Sequence, residues 1–235
     1  MGTLTLKQLC DAAREELGWS RPSAYAGTSD DDGLQTFRIA NRQGRDLADQ
    51  AHPWEELKTE GSITLVGGTQ AYALPADFRY LVPSTMWDGD AERIALGPLT
   101  AEEWSRSQNS GDVFGLNWRY EIRSGDVVFD QPVEAGDAGK VITFEYVSSY
   151  WAKSSAGTNK VRFDADSDTQ RFDDDLFIEG MIWRLKRVKG FDWQDEFAMY
   201  QAQLNRILSR DGGMRDVVMR EPSYLGVNLP ERDYG

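Results

Sequence analysis

The chain has few of the residues that build reactive centres. One cysteine (Cys10) and one histidine (His52) occur among 235 residues. A lone cysteine permits no internal disulfide and no Cys-rich metal site. A lone histidine excludes a multi-His metal centre. A Cys–His nucleophilic pair would have to join Cys10 to His52, which fall in separate segments with no supporting motif. Positive charge is also scarce. Lys and Arg number 26 against 39 Asp and Glu, a net charge of −13, which argues against a protein that coats duplex DNA. No apolar run approaches the roughly 18 residues of a membrane helix. The opening MGTLTLKQLC has no apolar signal core, and Leu6 stands where N-myristoylation wants Ser or Thr. Gly-rich phosphate loops, Gly-x-Ser-x-Gly and kinase-like motif sets are missing. The expectation is a soluble protein of a reducing compartment, without cofactor, metal or catalytic residues.

Apolar material is plentiful. Hydrophobic residues are 40%, aromatics 11%, and eight are Trp. That is enough for a real core in one domain or two small ones, and large aromatics favour buried anchors or partner surfaces. Leu6, Leu9, Ala13 and Leu17 predict a helix over 3–17, capped by Thr3 or Thr5 and stopped at Gly18, with Cys10 in its core face. Pro22, Gly27 and Asp30–Asp32 mark a loop. A second helix is expected over 33–51, its apolar side formed by Leu34, Phe37, Asn41, Gly44, Leu47, Ala48 and Ala51. Arg38, Arg42 and Arg45 form a stripe on another side, fit to meet a carboxylate face, nucleic-acid phosphate or solvent alone. His52, before Pro53, reads as a loop or capping residue.

From 61 to 148 the period changes to two. Ile63 and Leu65, then Tyr72 and Leu74, predict a hairpin around Gly67-Gly68. Further strands are expected at 78–87, 118–123, 126–130 and 140–148, with a tight turn at Ser124-Gly125-Asp126. Thr100 and Glu103 form a capping box for a short helix near 99–104. Residues 106–117 and 152–160 read as loops. Leu176 to Val188 place apolar residues around most of a helix over 172–189, so this helix should be central; Arg184, Lys186, Arg187 and Lys189 complement its dipole before Gly190. Phe197, Tyr200, Leu204, Ile207 and Leu208 predict a last helix over 192–210. Val217, Val218, Met219, Tyr224, Leu225, Val227 and Leu229 make residues 214–235 too apolar for a plain solvated tail, and they read as an extended arm that seeks a partner surface.

The resulting fold class is α+β: an antiparallel helical bundle from both chain ends, an inserted β-rich domain and an extended C-terminal arm. The corresponding segments are 1–58, 59–160, 161–212 and 213–235.

The densest acidic stretch holds Asp164, Asp166 and Asp168, followed by Asp173, Asp174 and Asp175. It echoes a calcium loop but has Thr169 where glycine is required and Asp175 in place of the final Glu. The plainer reading is a capped helix N-terminus, or carboxylates that meet arginines of a neighbouring subunit. A glycosidase would need two acids, such as Asp166 and Asp168, fixed across a cleft.

Several strings carry a family likeness: Ala40-Asn41-Arg42 leading to Pro53-Trp54, Tyr72-Ala73-Leu74-Pro75-Ala76-Asp77-Phe78, Gly97-Pro98-Leu99-Thr100, Phe144-Glu145-Tyr146-Val147-Ser148 with Trp151, Asp166-Ser167-Asp168-Thr169, and Trp183-Arg184-Leu185-Lys186-Arg187 with Lys189-Gly190. With the element order, these resemble the head-to-tail adaptor (connector) proteins of tailed phages, especially the short-tailed type, over residues 3–212. The resemblance implies a structural virion protein of the neck, present in the host cytoplasm during assembly. It implies a homo-oligomeric ring, a dodecamer, that docks under the portal protein and extends the channel through which DNA passes without specific binding. A tail or nozzle protein would attach below, and no membrane is involved.

An acidic wall would let DNA slide past. Arg38, Arg42, Arg45, Arg184, Lys186 and Arg187 could pair with Asp164, Asp166, Asp168 and Asp173 of the next subunit. The arm, through Val217 to Leu229, would dock on the portal. The competing reading is a monomeric carbohydrate-binding or other recognition module that uses the β-rich middle and its Trp residues.

Overall fold

In the computed structural model, residues 3–50, 52–109 and 117–211 are described. The expected arm at 213–235 lies outside them.

Helix α1 spans Leu6–Glu16. Its cap is a reciprocal box: Gln8 N–H donates to Thr5 Oγ1 while Thr5 N–H donates to Gln8 Oε1. Leu6 and Lys7 N–H donate to the carbonyls of Asp168 and Asp166. The first amides of the helix, which no helix can satisfy by itself, are therefore all partnered.

Helix α2 spans Asp31–Ala48 and is capped by Asp30, which accepts from Gly33 N–H at 2.7 Å. It starts two residues before the expected start and ends three before the expected end. Its buried stripe is also rotated. Gly33, Thr36, Ala40, Gln43, Gly44 and Leu47 face inward, while Leu34, Phe37 and Asn41 are only half-buried. Small residues win here because they admit close neighbours: a Cβ on Gly44 would strike the Trp151 ring.

The β-rich middle follows. Strands β1 (Lys58–Thr64), β2 (Ala71–Ala73), β3 (Phe78–Leu81), β4 (Trp87–Asp88) and β5 (Arg93–Ile94) precede the exposed helix α3 (Ala101–Asn109). Then come β6 (Tyr120–Arg123), β7 (Asp126–Phe129) and β8 (Val141–Ser148). Strand β8 is the hub. It pairs antiparallel with β1 on one side and with β3 and β4 on the other, and β5 extends β4. A separate sheet has the order β2-β7-β6.

The hairpin expected around Gly67-Gly68 is not formed. The chain turns there, but β1 pairs with β8 and β2 with β7. The apolar alternation of β1 is completed by a strand some eighty residues on, because Ile142 and Phe144 stand directly opposite Ile63 and Gly61. The stretch 78–87 is likewise broken into β3 and β4 around Ser84, which has a φ of 62°. The β6–β7 hairpin does turn at Ser124-Gly125, at φ values of 54° and 90°.

After β8, the expected loop at 152–160 contains β9 (Ala152–Lys153) and β10 (Asn159–Lys160), and β11 (Thr169–Gln170) adds to β9. Helix α4 spans Asp174–Lys189, is capped by Asp173 and stops at Gly190 in the left-handed conformation, φ 79°. Helix α5 spans Gln194–Asp211.

Helix α4 touches α1, α2 and α5. A Cβ on its Gly180 would strike the Gln43 side chain of α2. Two apolar cores result. One joins Leu6, Leu9, Leu47, Phe177 and Met181 from both chain ends, with Trp151 added from the segment after β8. The other lies in the β-rich middle around Ile63, Tyr120, Phe129, Ile142 and Phe144. The architecture is mixed α+β. No described helix is long and apolar enough to cross a membrane.

Candidate functional site

The acidic stretch 164–168 works as an internal clasp. Asp168 is 1% exposed. Its carboxylate accepts from the N–H groups of Asp164 and Ala165 at 2.9 and 3.0 Å, and from Lys160 Nζ at 2.9 Å. Burial alone would push this carboxyl up. The Asp164 N–H and Lys160 bonds outweigh it and hold the group below its ordinary value. Asp166 accepts from Tyr25 N–H and Ala26 N–H, the latter at 2.7 Å. Asp173 accepts from Leu176 N–H as the α4 cap. Asp164 is exposed and paired with Lys160. Among the described residues, no group of three or more His, Cys, Asp or Glu is placed to hold a metal ion.

The cations divide in the same way. Arg184 is 9% exposed and donates to Asp46 Oδ2 of α2 at 2.8 Å, with its guanidinium 4.2 Å from the Trp183 ring. Lys186 pairs with Glu196 of α5. Arg187 is exposed and lies over Trp193. Arg38, Arg42 and Arg45 all project from the exposed side of α2. Arg42 has a loose contact with Asp46 at 3.6 Å.

Around the α2 stripe the structure assembles an open groove of about 710 Å³, lined by Phe37, the three arginines, Val161, Arg162 and Asp164 among others. Arg162 joins this set from the β10–β11 connection, and Val161 beside it is 54% exposed. Distance in sequence hid Arg162: it is 117 positions from Arg45 and belongs to no helical stripe.

A second groove, of about 470 Å³, lies between the end of α1, α4 and α5. Glu16, Asp175, Glu179 and Glu196 line it together with Leu17, Ile178, Ile182 and Met199, and Lys186 and Arg206 also line it, Lys186 paired with Glu196. Glu179 Oε2 is buried and has no hydrogen-bond partner among the described residues. Burial, then the neighbouring Asp175 carboxylate, raises the Glu179 carboxyl above its ordinary value; Arg206 opposes this and Glu16 adds to it. The sequence held a signal for this site. Asp175 and Glu179 are like charges four residues apart in the largely apolar first half of α4, an arrangement that destabilises an isolated helix.

Of the eight tryptophans, seven are buried or half-buried and Trp87 is exposed, at 43%. Trp118 donates its indole N–H to buried Asp88 at 2.9 Å.

The two grooves carry opposite charge on one chain, the pattern of a molecule that fits against other proteins. A search of the curated proteins gives no match. The family model of the SU10 adaptor protein matches residues 4–221. The chain therefore belongs to the SU10 adaptor protein family, the structural adaptors of phages.

Proposed function

We propose that this chain is a head-to-tail adaptor of a short-tailed phage, which assembles as a ring under the portal, extends the DNA channel and offers the tail its platform. The family match over nearly the whole chain carries this reading. The reading places the protein in the virion neck, with portal and tail or nozzle proteins as partners and twelve copies in the ring. The net charge of −13 supports it, because a ring multiplies that charge and an anionic wall repels DNA phosphate. Helices α1, α2, α4 and α5 serve as one antiparallel bundle over 1–58 and 161–212, with the β-rich insert at 59–160; the presence of two apolar cores supports two units, although Val147, Trp151 and Ala152 of the insert pack into the helical core. Residues 213–235 form the portal-docking arm through Val217, Val218, Met219, Tyr224, Leu225, Val227 and Leu229.

At the subunit interface we assign the exposed charges Arg38, Arg42, Arg45, Arg187 and Asp164, of which Arg42 and Asp164 also have partners within the chain. Asp166, Asp168, Asp173, Arg184 and Lys186 support those surfaces from inside, since their side chains are engaged within the chain. A carbohydrate-binding module finds less support, because a sugar platform needs several exposed aromatics and Trp87 alone is exposed among the tryptophans.

Electron microscopy of the full chain, alone and mixed with the portal protein of the same phage, tests the reading. A ring stacked on the portal is expected. A monomer that ignores the portal overturns it.

A further inference from the structure

The basic and acidic grooves lie on different sides of α4. Gly180 meets Gln43, and Arg184 meets Asp46, so this side of α4 faces α2. Ile178 and Ile182, which line the acidic groove, are each two residues from Gly180. At about 100° per residue they lie some 200° round the helix from it. The arginine stripe is on the exposed side of α2. A surface and its complement on opposite sides of one molecule cannot close a two-fold dimer through that pair; they join copies head to tail.

The two surfaces also match in spacing. Arg38 and Arg42 are four residues apart on α2, and Asp175 and Glu179 are four apart on α4. Each pair spans about 6 Å along its helix. Both grooves set apolar side chains beside the charge: Phe37 and Val161 on one side, Ile178, Ile182 and 64%-exposed Met199 on the other. Arg38, Arg45 and Arg162 have no ion-pair partner among the described residues. In the facing groove, Glu179 Oε2 is a buried acceptor without a donor, a state that folded proteins rarely leave unfilled.

We infer that the arginine face of α2 in one copy docks into the acidic groove between α1, α4 and α5 of the next, with Arg38, Arg42 and Arg45 meeting Glu16, Asp175 and Glu179. This rests on the proposed self-assembly and names the two faces that make it. It moves the acidic side of the contact from the 164–168 clasp to α1 and α4.

Two charge-reversed full-length variants test it. One carries Arg38→Glu and Arg42→Glu; the other carries Glu16→Lys and Asp175→Lys. All four positions are exposed, and melting curves check that both variants fold. Sedimentation velocity and electron microscopy, with and without the portal protein of the same phage, read assembly. Each variant alone should self-associate roughly tenfold or more weakly than the parent, and the parent's assembly should weaken as salt rises. An equimolar mixture of the two should regain rings, since each intact face then finds an intact complement and each reversed face a reversed one. The conservative Glu179→Gln variant should weaken assembly without lowering the melting temperature. If the parent forms rings and both folded variants do too, or if the mixture fails to recover, this pairing of faces is wrong while the ring reading stands. If the parent itself forms no ring, alone or on the portal, the ring reading falls and this inference with it.

Discussion

Asp168 shows how much one side chain can hold. Its carboxylate gathers two backbone amides and Lys160 at a site 1% exposed, and the carbonyl of the same residue receives Leu6 N–H at the start of α1. Because its folded-state pKa lies below the ordinary value, its stabilisation is complete above about pH 4 and is lost as pH falls through the folded-state pKa. Asp168→Asn should cost about 1–3 kcal/mol at pH 7, and the gap from the parent should close in acid. Chemical denaturation at pH 7 and pH 3 measures both. Gly44 makes a steric counterpart. Its missing side chain admits the Trp151 ring, so Gly44→Ala should cost about 2 kcal/mol and lower the melting temperature by roughly 4–8 °C. The sequence showed Asp168 as a member of an acidic run and Gly44 as part of an apolar side. It could not show that Gly44 meets a ring more than a hundred positions away, or that the Asp168 carboxylate turns inward onto its own loop while its carbonyl receives Leu6 N–H.

Among the elements, those with local causes were the readable ones. The helices, the caps at Thr5 and Thr100 and the Ser124-Gly125 turn depend on residues within a few positions of each other, and α3 keeps the Thr100–Glu103 box that its sequence spells out; the α2 cap, Asp30, reads from the sequence as part of a loop. The capping box of α1 is of the same kind. Thr5→Ala should remove about 1 kcal/mol and speed hydrogen exchange at Gln8, which amide-exchange mass spectrometry can follow. Strand pairing was less legible. Alternation identifies a strand and its two faces, but it does not name the partner. The hairpin around Gly67-Gly68 was the nearest pairing available to β1, yet β8 offers it seven residues in continuous register, against the three-residue β2. The rotation of the buried stripe of α2 was hidden for a related reason. Only the arrival of Trp151 and α4 makes glycine, threonine and glutamine a better buried stripe than Leu34 and Phe37.

For the whole molecule, charge is organised by face more than by segment. The net charge could be counted from the sequence, and the arginine stripe on α2 could be read from its spacing. The acidic groove could not, since Glu16, Asp175, Glu179 and Glu196 come from three helices that α4 brings together. The acidic run at 164–168, the most visible feature in the sequence, mostly hydrogen-bonds its own backbone and the loop at Tyr25. Assembly should therefore depend on salt and on surface charge, while folding depends on the clasp. These two dependences should separate in experiment, with reversal of Arg38 and Arg42 changing sedimentation but not melting.

The junction of the two chain ends also sets a schedule. Thr3 bonds to Asp174, 171 residues later, and the first amides of α1 wait for carbonyls at 166 and 168. A ribosome adding about 5–20 residues per second needs on the order of 10–30 s to supply those partners. During that interval the apolar sides of α1 and α2 have no α4 to cover them. A nascent chain stopped at residue 160 should leave both helices open to protease, and one extended through residue 211 should protect them. The early part of synthesis is thus when this protein most needs a chaperone, and its final third is when that need ends.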